Sequence, residues 1–291
     1  VGTPRINNGE LKSWGWETEL NYRSKAGSKF TYSVGLNVSD NQNELISYAG
    51  RRVLNAGSVS LLEGYPLNTF WGYLTDGYFQ NADDVTAHAF QDSRTGAGDV
   101  KFIDQNGDGK LTVGKGSPED PGDLVLLGTD QPRFTFGLNL SLQWKGIDFS
   151  AFIQGVGKRN FLPNGEALQP LSQSWKQPLA IHRDYWTPEN PNAAFPRPFL
   201  QGAFRYLPSD KWIMNGQYAR LKNIQIGYTL PANLLKKVKL SRARIFVTGQ
   251  DLFTVSQLGI FDNYFNPEQR SGVENDYPFF GTAAMGLNLS F

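Results

Sequence analysis

The feature that most constrains this chain is a period of two. From Gly281 to Phe291, Ala283, Met285, Leu287, Leu289 and Phe291 share one face, and Thr282, Ala284, Gly286, Asn288 and Ser290 share the other. Such alternation predicts a β-strand with one apolar and one polar face. An apolar strand left at the margin of a soluble sheet exposes an edge open to pairing. A transmembrane barrel removes that difficulty: a neighbour closes the edge and lipid receives the apolar face. The same period recurs upstream, so that strands are expected near 11–23, 30–39, 134–144, 147–156, 218–230, 242–253 and 281–291. Their connections alternate between short and long, the long ones being 40–133, 155–217 and 254–280. Barrels with short periplasmic turns and long extracellular loops have this rhythm. The fold class expected is therefore all-β, an antiparallel transmembrane barrel, with the three long loops outside. Seven strands cannot close a wide barrel. With no initiator Met before Val1 and no signal peptide, the chain is read as a piece of a longer exported one.

Composition narrows the alternatives. A net charge of +1, without a basic cluster interleaved with aromatics, gives no reason to expect nucleic acid. The absence of Cys excludes a disulfide framework and any Cys-based metal or nucleophile site. No run of apolar residues is long enough for a transmembrane helix. The mean hydropathy of −0.41 would suit a soluble protein, but barrel strands evade that scale because half of each faces water. The rival from the same alternation is a soluble β-sandwich, here a calcium-containing glycan-binding module. A sandwich usually places Lys and Glu on its wet face, whereas the polar faces here are mostly Gly, Ser, Thr, Asn and Gln.

At Ser209 to Pro231 the sequence reads SDKWIMNGQYARLKNIQIGYTLP. This stretch resembles the carboxyl-terminal third of the SusC/RagA family, TonB-dependent outer-membrane transporters of Bacteroidota. The matches are Trp212, Gly216, Tyr218, Arg220 to Ile224, Gly227, Tyr228, Leu230 and Pro231. Others run along nearly the whole chain: Gly64 to Phe79, Gly98 to Gly109, Pro132 to Gly157, Trp186 to Pro191, Gly249 to Thr254 and the closing GLNLSF. One departure is Asn266-Pro267-Glu268, where the family more often has Asp-Pro-Glu. The resemblance implies the carboxyl-terminal part of a roughly 22-stranded barrel, whose plug domain is absent from this chain. It also implies a bacterial outer-membrane location, a SusD-like surface lipoprotein as lid, and energy from the TonB–ExbB–ExbD complex through a segment upstream of Val1. The cargo it implies is an oligosaccharide or a peptide, and the activity transport rather than an enzyme's.

Asp104-x-Asn106-x-Asp108-Gly109 is the sharpest chemical motif. Side-chain oxygens at positions 1, 3 and 5 followed by Gly let a loop wrap Ca²⁺, with the Lys110 backbone carbonyl and Thr112 at the next alternate positions. Position 12 is Lys115, so this is no EF-hand. The resemblance implies that Asp123 completes the set, displaced by an insertion at Gly114 to Gly122, with Glu119 and Asp120 as substitutes. The expected role of calcium is structural, clipping a long loop. The same residues also read as an Asx-turn loop without metal.

Trp71, Tyr73, Tyr78 and Phe79 read either as a stacking platform for sugars or as loop packing or lid contact. Tyr185, Trp186 and Phe195 to Phe199 read the same way, and nearby prolines stiffen that backbone for lid docking. Trp14, Trp16, Trp144 and Tyr228 are expected as anchors at the membrane interface. His88 and His182 have no partners at ligand spacing and read as ordinary loop residues. Glu17, Glu19, Asn139, Gln143, Asp148 and Gln154 are expected on the lumen side, lining a solute path or bonding the plug. No nucleophile–base pairing or phosphate-cradling loop is present to suggest an enzyme.

Overall fold

The computed structural model describes the chain except for residues 1–6, 26–28, 51–53, 55, 58, 237–238 and 270–278. Val1 and the middle of the first short turn, 26–28, lie outside the described residues. In chain order the strands begin with β1 (Gly9–Arg23), β2 (Phe30–Tyr48), β3 (Val59–Ser60), β4 (Thr69–Gly72) and β5 (Thr75–Tyr78). They continue with β6 (Val100–Phe102), β7 (Val125–Thr129), β8 (Arg133–Trp144), β9 (Ile147–Lys158) and β10 (Asn160–Phe161). The last three are β11 (Met214–Thr229), β12 (Arg242–Gln257) and β13 (Thr282–Ser290). Helix is confined to short pieces, among them α1 (Ala82–Ala87) and α2 (Ala232–Leu235).

Seven long strands form one antiparallel sheet in the order β1-β2-β8-β9-β11-β12-β13, and β10 adds to β11. The sheet is an unclosed segment of barrel wall, in which β1 and β13 each pair on one side. No second sheet packs face to face with it among the described residues, which removes the sandwich reading. All fifteen positions of β1 are exposed, and large apolar side chains stand out along the wall, with Leu20 61% and Met285 79% exposed. Exposed aromatics bracket this apolar face. Trp14, Trp16, Phe134 and Phe253 stand toward one end, and Tyr22, Phe30, Trp144 and Tyr228 toward the other. At about 3.4 Å per residue, the ten steps from Phe134 to Trp144 span about 34 Å of strand. At the tilt of about 45° usual for such strands, that is close to the apolar band of about 25 Å that a barrel presents to lipid.

The opposite face is bonded laterally by its own small polar groups. Ser33 and Ser141 hydroxyls meet at 2.7 Å, as do those of Ser39 and Thr135. Arg244 donates to Asp148 across β11, with Nε 2.9 Å from Oδ1, and its Nη2 also reaches Gln225 at 3.1 Å. Lys145 and Gly146 have φ of 49° and 88°, the two positive values of a type I′ turn, whose twist matches the strands it joins.

β2 runs nine residues past the expected end at Ser39, because Asp40 to Tyr48 pair with the upper half of β1. Polar residues occupy both faces from Asp40 to Glu44, so the extension opens without clean alternation. The connections after β2, β9 and β12 all leave from one end of the wall, and the connections after β1, β8 and β11 turn at the other. The long stretches expected as loops are not open loops. They build one cap with its own core, in which Leu54, Phe70, Val100, Phe102, Phe161, Phe195, Trp212, Leu258 and Phe261 are almost wholly buried. Two small sheets, β3-β4-β7 and β5-β6, frame it.

Candidate functional site

The cap and the polar face of the wall beneath it form the candidate site. Three segments distant in sequence lock together there. The Tyr73 N–H donates to the Pro208 carbonyl at 2.9 Å and the Asp210 N–H to the Tyr73 carbonyl at 3.1 Å, joining the first connection to the second. Phe195 packs edge-on against Phe261, joining the second to the third. Arg220 of β11, with its side chain 2% exposed, holds the third connection. Its Nε donates to Thr254 Oγ1 at 2.8 Å, its Nη2 donates to Asn266 Oδ1 at 2.7 Å, and its Nη1 lies 3.0 Å from Glu268. Lys222 adds a second ion pair to Glu268 at 3.2 Å. Asn266, where the resemblance favours Asp, keeps the acceptor oxygen that Arg220 uses and drops the charge.

The aromatic residues named as substrate or lid contacts go elsewhere. Trp71, Tyr73, Tyr78 and Trp186 are all buried in the cap core. The Tyr78 hydroxyl donates to the Ala193 carbonyl at 3.0 Å. Burial, with the Asp123 carboxylate nearby, pushes the Tyr73 phenol up to about 12. Buried rings offer no face for a sugar to stack on, so these four pack the cap. Exposure passes instead to Tyr185, the neighbour of Trp186, which is 40% exposed. Tyr185 lines a cavity of about 350 Å³ together with Pro178, Pro196, Pro198, His182 and Tyr206.

His182 is not an ordinary loop residue. It is buried, its Nδ1 accepts the Leu179 N–H at 2.8 Å, and its Nε2 lies 2.9 Å from the Ala167 carbonyl. That pairing suits the neutral ring, and burial holds its pKa below the usual histidine value.

The Asp104 loop is closed by its own backbone. Asp104 Oδ1 and Oδ2 accept the N–H groups of Gly107 and Gly109 at 2.7 and 2.8 Å. Asn106 accepts from the Asp108 N–H at 3.0 Å, and Asp108 from the Lys110 N–H at 2.8 Å. Asp123 is buried and does join the loop, accepting the N–H groups of Gln105 at 2.8 Å and Thr112 at 2.6 Å. The N–H of Gly109 above all, with help from those of Gly107 and Asp108, holds the Asp104 carboxyl below its ordinary range against the opposing effect of desolvation. The donors are hard oxygens of the kind calcium takes. Among the described residues, however, no three His, Asp or Glu side chains gather closely enough to hold a metal. Asx turns account for the Asn106 and Asp108 bonds, while the Asp104 and Asp123 carboxylates are satisfied by backbone N–H groups further along the loop.

Sequence reasoning missed the polar centre of the cap. Asp99, 1% exposed, receives Arg205 through a bidentate pair and Arg197 through a second one, at 2.9 and 3.1 Å. The Gly96 N–H adds a fifth bond at 2.8 Å. Arg205 is fully buried and lies over the Phe199 and Phe204 rings at 4.0 and 4.1 Å. An Asp in the first connection and two Arg in the second share no spacing that a sequence reader could use. Arg159 is similar, with Nη1 bonding the Pro267 carbonyl at 3.0 Å.

These features define a class: a segment of antiparallel β-barrel wall carrying a structured cap at one end. Comparison with known proteins agrees. Over 98% of its length the chain is 29% identical to TonB-dependent receptor P3 of Formosa agariphila, and 26% identical to TonB-dependent receptor SusC of Bacteroides thetaiotaomicron. It spans 29% and 27% of those two relatives, less than a third of each. The RagAB peptide transporter superposes on 98% of the chain with a TM-score of 0.70 at 19% identity, and the chain covers 29% of it. The RagAB peptide importer in its "closed-closed" state gives 0.70 at 20% identity. At such identity the superpositions show the fold alone. No protein-family model matches. The resemblance to TonB-dependent receptors of the SusC/RagA type thus holds along nearly the entire chain.

Proposed function

We propose that this chain is the carboxyl-terminal wall and outer cap of a TonB-dependent importer of oligomeric nutrients in a bacterial outer membrane. The observation that carries the reading is the joint geometry: an aromatic-bracketed apolar band on one face, and all three long connections packed at one end. The receptors it is similar to supply the energy source, a TonB complex acting through a part of the protein outside this chain. The cap would face outward and the short turns the periplasm. A SusD-like lipoprotein would close over the cap, with the Tyr185 cavity as one seat for its apolar side chains. Oligosaccharides and peptides are both open as cargo; SusC is similar at 26% sequence identity, and the RagAB peptide transporter is similar in fold with a TM-score of 0.70.

Calcium at the Asp104 loop belongs to the same proposal, as a clip on the first connection. Asp104, Asn106 and Asp108 would supply side-chain oxygens, Lys110 its carbonyl, and Thr112 and Asp123 the far side. The motif supports this, and the self-sufficient Asx turns weigh against it. Chelation decides: if calcium is bound, EDTA speeds proteolysis in the 104–123 segment and added Ca²⁺ reverses it. An unchanged cleavage rate leaves the Asx-turn reading alone.

The main test is fractionation of the source cells, tracing peptides of this sequence to an intact band. The expected result is a detergent-extracted outer-membrane polypeptide more than three times as long as this chain, as its relatives are, with a lipoprotein co-purifying. A soluble species of 32.5 kDa would overturn the proposal.

A further inference from the structure

The short-turn end of the wall has a charge character that the transport reading does not explain. Every charged residue in segments 23–29, 145–146 and 230–242 is a Lys or an Arg. Lys25 and Lys29 border the first turn, Lys145 makes the second, and Lys236, Lys239 and Arg242 belong to the third; all six are exposed. The flanking acids, Glu19 and Asp148, lie on the polar face, and Asp148 is already engaged by Arg244. The cap end is different in kind, since Lys12, Asp40, Glu44 and Arg133 mix both signs there.

Next to these cations stands the lower aromatic belt. Trp144, Tyr228 and Phe30 are between 41% and 49% exposed, and Lys145 Nζ sits 5.0 Å over the Trp144 ring. On α2, Leu234 is 58% exposed, two residues before Lys236. Apolar and aromatic groups at acyl depth, with cations at headgroup depth, form the arrangement that amphipathic side chains take at a lipid boundary. A rim of one sign attracts an anionic surface within a Debye length of about 8 Å at physiological salt.

We propose that this rim seats anionic phospholipid headgroups, phosphodiesters without a compensating ammonium, in the leaflet that the short turns face. The proposal rests on the reading of the sheet as a membrane wall.

The test uses the full-length protein in lipid nanodiscs containing equal phosphatidylglycerol and phosphatidylcholine, with retained lipids counted by native mass spectrometry. The expected result is an excess of phosphatidylglycerol of about five-fold, which high salt erodes. The combined variant Lys25→Gln, Lys29→Gln, Lys145→Gln, Lys236→Gln and Lys239→Gln should bring the ratio close to one, while a variant neutralising Lys12 and Arg133 at the other end should not. Equal retention of the two lipids by wild type overturns the proposal, as does an undiminished excess in the assembled five-fold variant. If the variant does not assemble, salt dependence of the wild-type excess decides. Protein embedded in the disc without lipid preference sinks only this inference; protein that never enters a bilayer sinks the wall reading with it.

Discussion

Asp99 carries two guanidinium groups in the interior of the cap, and the two are not equivalent. Arg205 is fully buried, whereas the Arg197 side chain is 32% exposed. Removing the charge with Asp99→Asn leaves Arg205 buried without its counter-ion, at a cost of about 3–5 kcal/mol. Arg197→Ala should cost about 1 kcal/mol or less, since solvent screens that arm of the pair. Cleavage half-lives of the cap under limited proteolysis would separate the two variants; equal half-lives would show that Asp99 is not the anchor. His182 gives the cap a pH dependence. Its folded pKa lies below the free value of about 6.5, so on acidification the unfolded state takes up the proton first. Cap stability is therefore complete above about pH 6.5 and declines as pH falls below it. Proteolysis should be faster at about pH 5.5 than at about pH 7.5, and His182→Gln should flatten the difference. At this scale the sequence was least legible. An aromatic residue in a long connection looks the same whether it packs, as Trp71 does, or stands out, as Tyr185 does. What decides is the segment that packs against it, for Trp71 the strand β7, whose Leu126 pairs with it from outside its own stretch of sequence.

Among the elements, period-two alternation was readable wherever a strand's two faces meet different media. β8 shows this best, with Leu138, Leu140 and Leu142 against Asn139, Ser141 and Gln143. β4 could not be read this way, because all of Thr69–Gly72 is buried and neither face is marked polar. The upper part of β2 failed for a different reason, since polar residues fall on both its faces and both Asp40 and Leu45 are buried there. Leu140→Arg tests the assignment of faces. At mid-band it should cost about 2–4 kcal/mol and lower the fraction of heat-modifiable, folded protein on a gel. Asn139→Arg, one residue away on the polar face, should be tolerated far better. Equal loss for both substitutions would mean that the two faces are not in different media.

For the whole molecule, the wall and the cap pose different demands. The cap has a buried apolar core of its own, whereas the wall exposes its apolar face and leaves β1 and β13 each with an unpaired side among the described residues. The 291-residue chain alone should therefore associate in buffer without detergent, through exposed edges and apolar surface. Size-exclusion chromatography with and without detergent would show it, and a monodisperse monomer in plain buffer would contradict the wall. The cap's construction also sets a schedule. Leu258 and Phe261, both at 0% exposure, are core residues supplied by the third connection, while Leu54 and Phe70 come from the first. Contacts of such sequence separation form late and slowly. During synthesis, the apolar surface that Leu258 and Phe261 cover must wait until the third connection has been made. The period of greatest danger for the cap is thus the interval between synthesis of its first two connections and its third, when a chaperone or a protease would find the uncovered surface most easily.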